Sequence, residues 1–257
     1  MNFKDHFSSH ADLYARARPH YPDALFDWIA AQAPARDCAW DAGCGNGQAS
    51  VALAKRFQRV IATDPSEKQL RNAAAHPRID YRNEPRSLPA RDGTKYQTSI
   101  HDRSVDAVTV AQALHWFELE PFLAEVRRIA KPDALFAAWC YANCSVTPAV
   151  DAMIAHLYDD VLGPYWPPER RLVDGGYASL AIPFVPVAAP AFEMRVEWNA
   201  RQLLAYLSSW SAAQRHLAAT GRNAVEAMSG DLISAWGDPD QARPARWTLA
   251  VRAGRVG

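Results

Sequence analysis

The sequence predicts an α/β fold: a mostly parallel sheet with an antiparallel edge strand, helices on both faces, and a lid-like insertion. Three observations predict it. The first half alternates short apolar runs with helical patterns, the signature of βαβ units. A glycine-rich turn, Gly43-Cys44-Gly45-Asn46-Gly47, lies between one such run and the next helical pattern. Near the end, residues 192–198 and 246–252 alternate as strands that pair into an antiparallel edge.

Each element follows in order. Pro22 opens a helix with Leu25, Phe26, Ile29, Ala30 and Ala33 at helical spacing, and Pro34 ends it. Residues 38–41 form a strand, 49–57 a helix after the glycine turn, and 59–63 a second strand, apolar at Val60, Ile61 and Ala62. Ser66 and Glu67 start a helix that ends before Pro77. A third strand covers 79–81, and a β-branched fourth covers 105–110, with 83–103 mostly loop between them. Residues 121–130 form a helix with Phe122, Leu123, Val126 and Ile129 on one face, and Lys131-Pro132-Asp133 turns into a strand over 134–141. From Pro148 the character changes: residues 163–190 pack six of the 18 prolines with Tyr165, Trp166 and Tyr177, an irregular, well-packed insertion. Residues 201–219 read as helical. There is no internal repeat. The chain reads as one domain over 1–257: an N-terminal helical segment (1–36), a cofactor-binding core (37–145), and the insertion with the final strands (146–257).

Composition narrows the partners. At 257 residues, with 49% apolar and 22% charged residues, the chain is an ordinary globular one long enough for a large core. Its 28 basic residues balance 28 acidic ones without a basic stripe, which argues against a nucleic-acid partner. The opening MNFKDHFSS has no apolar core or cleavage site, and no run approaches the roughly 20 apolar residues that span a bilayer, so a cytoplasmic protein without a membrane partner is expected. Cys38, Cys44, Cys140 and Cys144 lack zinc-knuckle spacing and are expected to be buried free thiols, with no metal.

The glycine turn carries the chemistry. Asp41-Ala42 precedes it, its glycines let a ligand approach the backbone, and the following helix offers N–H groups to a carboxylate. Asp64 lies 19 residues beyond Gly45 at the end of the second strand, where a carboxylate accepts the hydroxyls of an adenosine ribose. That much suits nicotinamide cofactors too. Asp41 separates the two: a carboxylate there repels a pyrophosphate and attracts the ammonium of a methionine moiety. Gln48 also stands where a dinucleotide fingerprint has its third glycine.

These residues resemble the class I S-adenosylmethionine-dependent methyltransferases, in the small-molecule branch called methyltransferase type 11. Residues 41–47 match its first motif, Asp64 its second, 105–116 its fourth, and 127–139 the segment around its fifth strand. Tyr14 and Arg18-Pro19-His20-Tyr21-Pro22 resemble the opening of trans-aconitate methyltransferase-like proteins. The resemblance implies a Rossmann-like, seven-stranded sheet with S-adenosylmethionine at its carboxyl edge, held by Tyr14, Arg18, Asp41, Ala42, Gly43, Gly45, Gly47, Asp64, Pro65, Gln69, Gln112, Ala113 and Trp116. One departure stands out: where the family places an acidic residue near the adenine in an A-E-x-L-P string, this chain has Pro85-Arg86-Ser87-Leu88-Pro89.

The expected activity is direct in-line methyl transfer to a small organic molecule. His115, after the fourth strand, either takes a proton from the acceptor and orients it or packs under the cofactor; alignment alone is physically sufficient for methyl transfer. Trp116 offers a cation–π face to the sulfonium or packs the adenine. Tyr14 and Arg18 close over the cofactor, read an acidic substrate, or simply pack on the sheet. Trp166, Tyr177 and Trp210 are core aromatics or an apolar wall against the acceptor. Arg170 and Arg171 pair with a substrate carboxylate or are solvated, while Glu118 and Glu120 read as helix-start residues rather than a general-base pair. Gln112-Ala113-Leu114-His115 is unlike the N-P-P-Y string of enzymes that methylate base amines. An NAD(P)-dependent oxidoreductase and a non-catalytic S-adenosylmethionine-binding module are the alternatives, and the oligomeric state is left open.

Overall fold

The apolar runs of the first half form five strands: β1 (Cys38–Ala42), β2 (Arg59–Asp64), β3 (Ile79–Asn83), β4 (Val105–Ala111) and β5 (Ala130–Cys140). Every residue of β1 and all but the last of β4 are buried, as expected of parallel strands covered on both faces. The computed structural model describes residues 19–84 and 97–257; the expectations for Tyr14, Arg18 and the 85–89 string lie outside the described residues.

Two compact units divide the chain. The larger comprises Tyr21–Tyr141, Arg171–Phe192 and Leu249–Gly257. Its strands run in the order β3-β2-β1-β4-β5-β8-β6, with β6 at Val185–Pro186 and β8 at Arg243–Arg255. Pairing is parallel from β3 through β5, then antiparallel from β5 to β8 and from β8 to β6. The order reverses between β1 and β4, which is where an open α/β sheet forms a crevice at its carboxyl edge. Seven strands lie on this path, the number the resemblance implies, and an eighth, β7 (Phe192–Trp198), pairs β8 off it.

The helices of this unit are α1 (Asp23–Gln32), α2 (Gln48–Ala54), α3 (Glu67–Arg71) and α4 (Leu119–Ile129). Pro22 is the extended N-cap of α1, which buries Leu25, Phe26, Ile29 and Ala30. The Ser66 hydroxyl caps α3, but this helix stops at Arg71, because residues 72–76 offer no large apolar side chain to bury. The Lys131-Pro132-Asp133 turn lies inside β5 rather than before it. Val105 pairs with Ala130 and Ala107 with Leu135, so the register jumps there, and Asp133 takes φ 60° while donating to the Val256 carbonyl at 3.1 Å.

The other unit holds Ala142–Arg170 and Glu193–Thr248, with the described residues Pro19 and His20. Here β7 (Phe192–Trp198) pairs β8. Around them lie α5 (Pro148–His156), which passes into a wider π turn over Leu157–Val161, and α7 to α10 (Ala200–Ser208, Ser211–Thr220, Ala224–Ala227, Ser229–Trp236). A short helix α6 (Arg170–Asp174) opens the second segment of the larger unit. The expected helix over 201–219 is two helices: the backbone of Trp210 is extended (ψ 136°), and its indole packs on Tyr158, Trp166 and Tyr206. Among the described residues no helix is long and apolar enough to cross a membrane.

Candidate active site

The turn after β1 is bound to its neighbours through the backbone. The N–H groups of Gly43 and Cys44 both donate to the Thr63 carbonyl, at 2.9 and 3.0 Å, which ties the turn to β2. Gly43, Gly45 and Gly47 all have positive φ (70°, 57° and 82°), a region costly for side chains with a Cβ. Their surroundings differ. A Cβ on Gly43 would lie 2.8 Å from the Ala113 Cβ, and one on Gly47 would lie 2.2 Å from the Tyr81 hydroxyl, so packing within the protein excludes both. Among the described residues, a Cβ on Gly45 would meet nothing within 4 Å.

Asp64 ends β2 beside this opening. Its Oδ2 accepts from the Gly45 N–H at 2.9 Å and its Oδ1 from the Ser66 N–H at 2.8 Å, so the carboxylate is oriented against the turn. Pro65 follows it half-buried, and Gln69 is buried in α3 with its N–H on the Ser66 hydroxyl at 3.3 Å. Asp41 has no exposed surface. The Ser50 hydroxyl donates to its Oδ2 at 2.6 Å, and the Thr109 hydroxyl lies 3.2 Å from its Oδ1. Burial pushes the Asp41 carboxyl up to about 6, against the lowering by Ser50 and Thr109, and the Asp64 charge adds to the rise. Ser50 and Thr109 were not singled out from the sequence. Thr109 had a signal there, since in the parallel pairing of β1 with β4 it stands opposite Asp41.

At the end of β4 the chain turns sharply. Gln112 takes φ 52°, and its amide bridges the backbone of Tyr141, accepting from its N–H at 2.8 Å and donating to its carbonyl at 3.0 Å. Ala113 packs on Gly43, and a single 3₁₀ turn (Leu114–Trp116) carries His115 and Trp116, whose rings lie 4.6 Å apart. His115 Nδ1 lies 2.9 Å from the Tyr177 hydroxyl. Tyr177 itself is fully buried.

The structure therefore gathers the glycine turn, Asp41, Asp64, Pro65, Gln69, Gln112, Ala113, His115, Trp116 and Tyr177 in the larger unit. Trp166 and Trp210 belong to the other unit, where their rings lie 5.7 Å apart and both pack on Tyr158. Arg170 stacks over Trp166 and Tyr158, at 4.9 and 5.3 Å, and donates to the Tyr158 hydroxyl at 2.7 Å, whereas Arg171 is exposed. Glu118 is the N-cap of α4 and Glu120 lies in its first turn. The four cysteines are buried free thiols, and no group of metal-ligating side chains occurs among the described residues.

Comparison with known proteins decides the family. The family described as a methyltransferase domain matches residues 40–138. A Dictyostelium discoideum protein named as a methyltransferase is 31% identical over 242 residues, 93% of this chain and 89% of that relative. The structure of a protein described as a type II methyltransferase from Anaeromyxobacter dehalogenans is 44% identical, with a TM-score of 0.83, covering 93% of this chain and 98% of the other. The chain belongs to the S-adenosylmethionine-dependent methyltransferases.

S-adenosylmethionine is the cofactor of this methyltransferase, and its own residues fit that ligand. Among the described residues no atom would crowd a Cβ on Gly45, whose N–H is held by the oriented carboxylate of Asp64, and the buried acid Asp41 stands two residues before the turn. A cationic, ribose-bearing ligand is matched by both. Ala113 and Tyr81 close the turn at Gly43 and Gly47.

Proposed function

We propose that this methyltransferase moves a methyl group directly, in line, onto a small organic acceptor. The observation that carries the reading is the segment after β4: at the switch point of the sheet it presents a half-buried imidazole and indole, His115 and Trp116, next to the alanine that closes on Gly43. A ring pair at a crevice edge suits a compact acceptor. The balance of 28 basic and 28 acidic residues supports the same reading, since a nucleic-acid substrate calls for phosphate-neutralising charge.

When bound, S-adenosylmethionine supplies an electrophilic methyl on a sulfonium. The chain's residues do the rest. Asp64, with Pro65 and Gln69 behind it, receives the ribose; the turn from Ala42 to Gly47 receives the methionine moiety; and Asp41, ionised above about pH 6, favours its positive charge from beneath the turn. Gln112 and Ala113 shape the wall below the transferring group, and Trp116 sets an indole face beside it. His115 addresses the acceptor. Orienting the nucleophile at van der Waals distance from the methyl is the largest contribution available to such a site. No observation favours a nicotinamide cofactor, whose diphosphate the Asp41 charge would repel.

Two measurements test this. In calorimetric titration, wild-type protein is expected to bind S-adenosylmethionine and not NADH, and Asp64→Ala to lose at least about tenfold in affinity, roughly 1.4 kcal/mol. Unchanged binding by the variant would refute the ribose assignment. For the acceptor, incubation with methyl-labelled S-adenosylmethionine and a whole-cell extract is expected to place label in the low-molecular-mass fraction; label confined to protein or nucleic acid would refute a small acceptor.

A further inference from the structure

Tyr177 stands out because it is fully buried yet ends on the most reactive side chain of the acceptor side. It cannot offer surface to an acceptor. We propose that Tyr177 is a positioning residue that fixes the tautomer of His115, donating its hydroxyl proton to Nδ1 and so placing the imidazole proton on Nε2.

The geometry supplies the contact. The Tyr177 hydroxyl and His115 Nδ1 are 2.9 Å apart, and the two rings are tilted by only 30° with centroids at 6.1 Å. Chemistry supplies the direction. A neutral imidazole has one donor and one acceptor nitrogen, and which is which depends on the partner of each. A phenol is a good donor, while its oxygen is a poor acceptor because a lone pair is delocalised into the ring. An unprotonated imidazole nitrogen is a strong acceptor. The pair is therefore most stable as O–H donating to Nδ1.

The phenol is also held where it stands. Tyr177 takes φ 59°, a conformation rare for a bulky residue and one that persists where the surroundings over-determine it. Its N–H donates to the Leu172 carbonyl at 2.8 Å, and its carbonyl accepts from Arg252 of β8 at 3.0 Å. Gly176 before it leaves no room for a side chain, since a Cβ there would lie 2.9 Å from the Ala250 Cβ. The Cys140 thiol lies 3.6 Å from the Val173 carbonyl, which fastens α6 to β5 just upstream. The cost of that backbone is repaid by a hydroxyl fixed on one ring nitrogen.

In this tautomer His115 gives an acceptor an N–H donor rather than a base. Its contribution is orientation, and the acceptor brings a nucleophile that needs no proton removed by this ring. That consequence rests on the reading of His115 as facing the acceptor; the tautomer itself does not.

The test is nitrogen-15 NMR of the full chain with labelled histidine at mildly alkaline pH. The two-bond imidazole correlations report the tautomer, and the His115 signal is assigned by its absence in His115→Gln. Wild type is expected to show the Nε2–H pattern, and Tyr177→Phe to show a substantial Nδ1–H fraction. An Nδ1–H pattern in wild type, or identical patterns in wild type and Tyr177→Phe, would overturn the proposal. Should the phenylalanine variant fail to fold, the wild-type Nδ1 shift decides: accepting the phenol proton moves it upfield of a free pyridine-type nitrogen, and an unmoved shift would overturn the proposal. If wild type labels no small acceptor, the functional reading falls, while this spectrum, which needs no acceptor, still decides the tautomer.

Discussion

Gly45 and Gly47 stand two residues apart in one turn, yet an added methyl meets different surroundings at each. Gly45→Ala carries the left-handed backbone penalty of about 1–2 kcal/mol and no clash with a described residue. It is expected to fold, with S-adenosylmethionine affinity down about tenfold or more by calorimetry. Gly47→Ala adds overpacking against Tyr81, about 1–3 kcal/mol further, so its loss should appear first as a lower urea midpoint. Equal loss of stability in both variants would contradict the assignment of Gly45 to the ligand. Asp41 makes a prediction in pH. Its folded value of about 6 lies above the ordinary 3.8, so between those values the folded state binds more protons than the unfolded one. Its contribution to stability is therefore full at low pH and is lost as pH rises through about 6. Ligand binding has the opposite sense: the ionised form attracts the cationic cofactor, so affinity should weaken as pH falls through about 6. Asp41→Asn should flatten both dependences, weaken binding at neutral pH, and be at least as stable as wild type there. A wild-type affinity independent of pH across that window would show that the charge plays no part. The positive-φ turn at Gly43, Gly45 and Gly47 and the strand-end place of Asp64 are legible from spacing alone. The Tyr177 contact is not, because it joins positions 62 residues apart that no local pattern links.

At the scale of elements, what was legible followed burial. Strands β1, β2 and β4, and helices α1 and α4, each carry their own periodic apolar set, and they form within a few residues of where that set lies. Tertiary demands decided the rest. The break at Trp210 serves an aromatic cluster, and the register jump at Lys131-Pro132-Asp133 reflects pairing with β4, neither of which shows in a local window. A polar junction holds α4 to the chain that enters β4. Glu125, 3% exposed, accepts from the Thr98 N–H and hydroxyl at 2.7 and 2.6 Å and from Arg128 at 2.6 Å; Arg128 also donates to the Ile100 carbonyl at 2.8 Å and pairs with Asp102. Its sequence gives no hint, since Glu125 lies on the otherwise apolar face of the helix. Glu125→Ala removes the buried carboxylate that Thr98 and Arg128 share and should cost about 3 kcal/mol in urea unfolding, with Glu125→Gln costing less. A loss under about 0.5 kcal/mol would mean that solvent replaces the junction.

For the whole molecule, the compact units interleave along the chain. The insertion and the core were read as consecutive stretches, but residues 171–192 and the last nine belong with the sheet, while 142–170 and 193–248 form the other unit. Strand β8 begins in one and ends in the other, so its alternating pattern announced a strand without announcing two contexts. The site residues described above other than the Trp166 and Trp210 cluster all lie in the larger unit, which makes the effect of ligand binding spatially specific. A ligand at a hundred times its dissociation constant stabilises the state that binds it by about 2.7 kcal/mol. In a chain of this size that corresponds to a rise of roughly 5–10 °C in the transition that unfolds the binding unit. Saturating S-adenosylmethionine should produce such a rise in scanning calorimetry, Asp64→Ala should abolish most of it, and NADH should produce none. Hydrogen exchange should localise the effect: slower exchange at residues 43–47, 64–69 and 112–116, the segments to which the proposed site assigns the cofactor and its acceptor side. A gain confined to 142–170 or 193–248 would place the cofactor elsewhere and undo the assignment of the glycine turn. Slower exchange at 112–116 without any at 43–47 would mean that the ligand engages the acceptor side alone, leaving Gly45 without its proposed role.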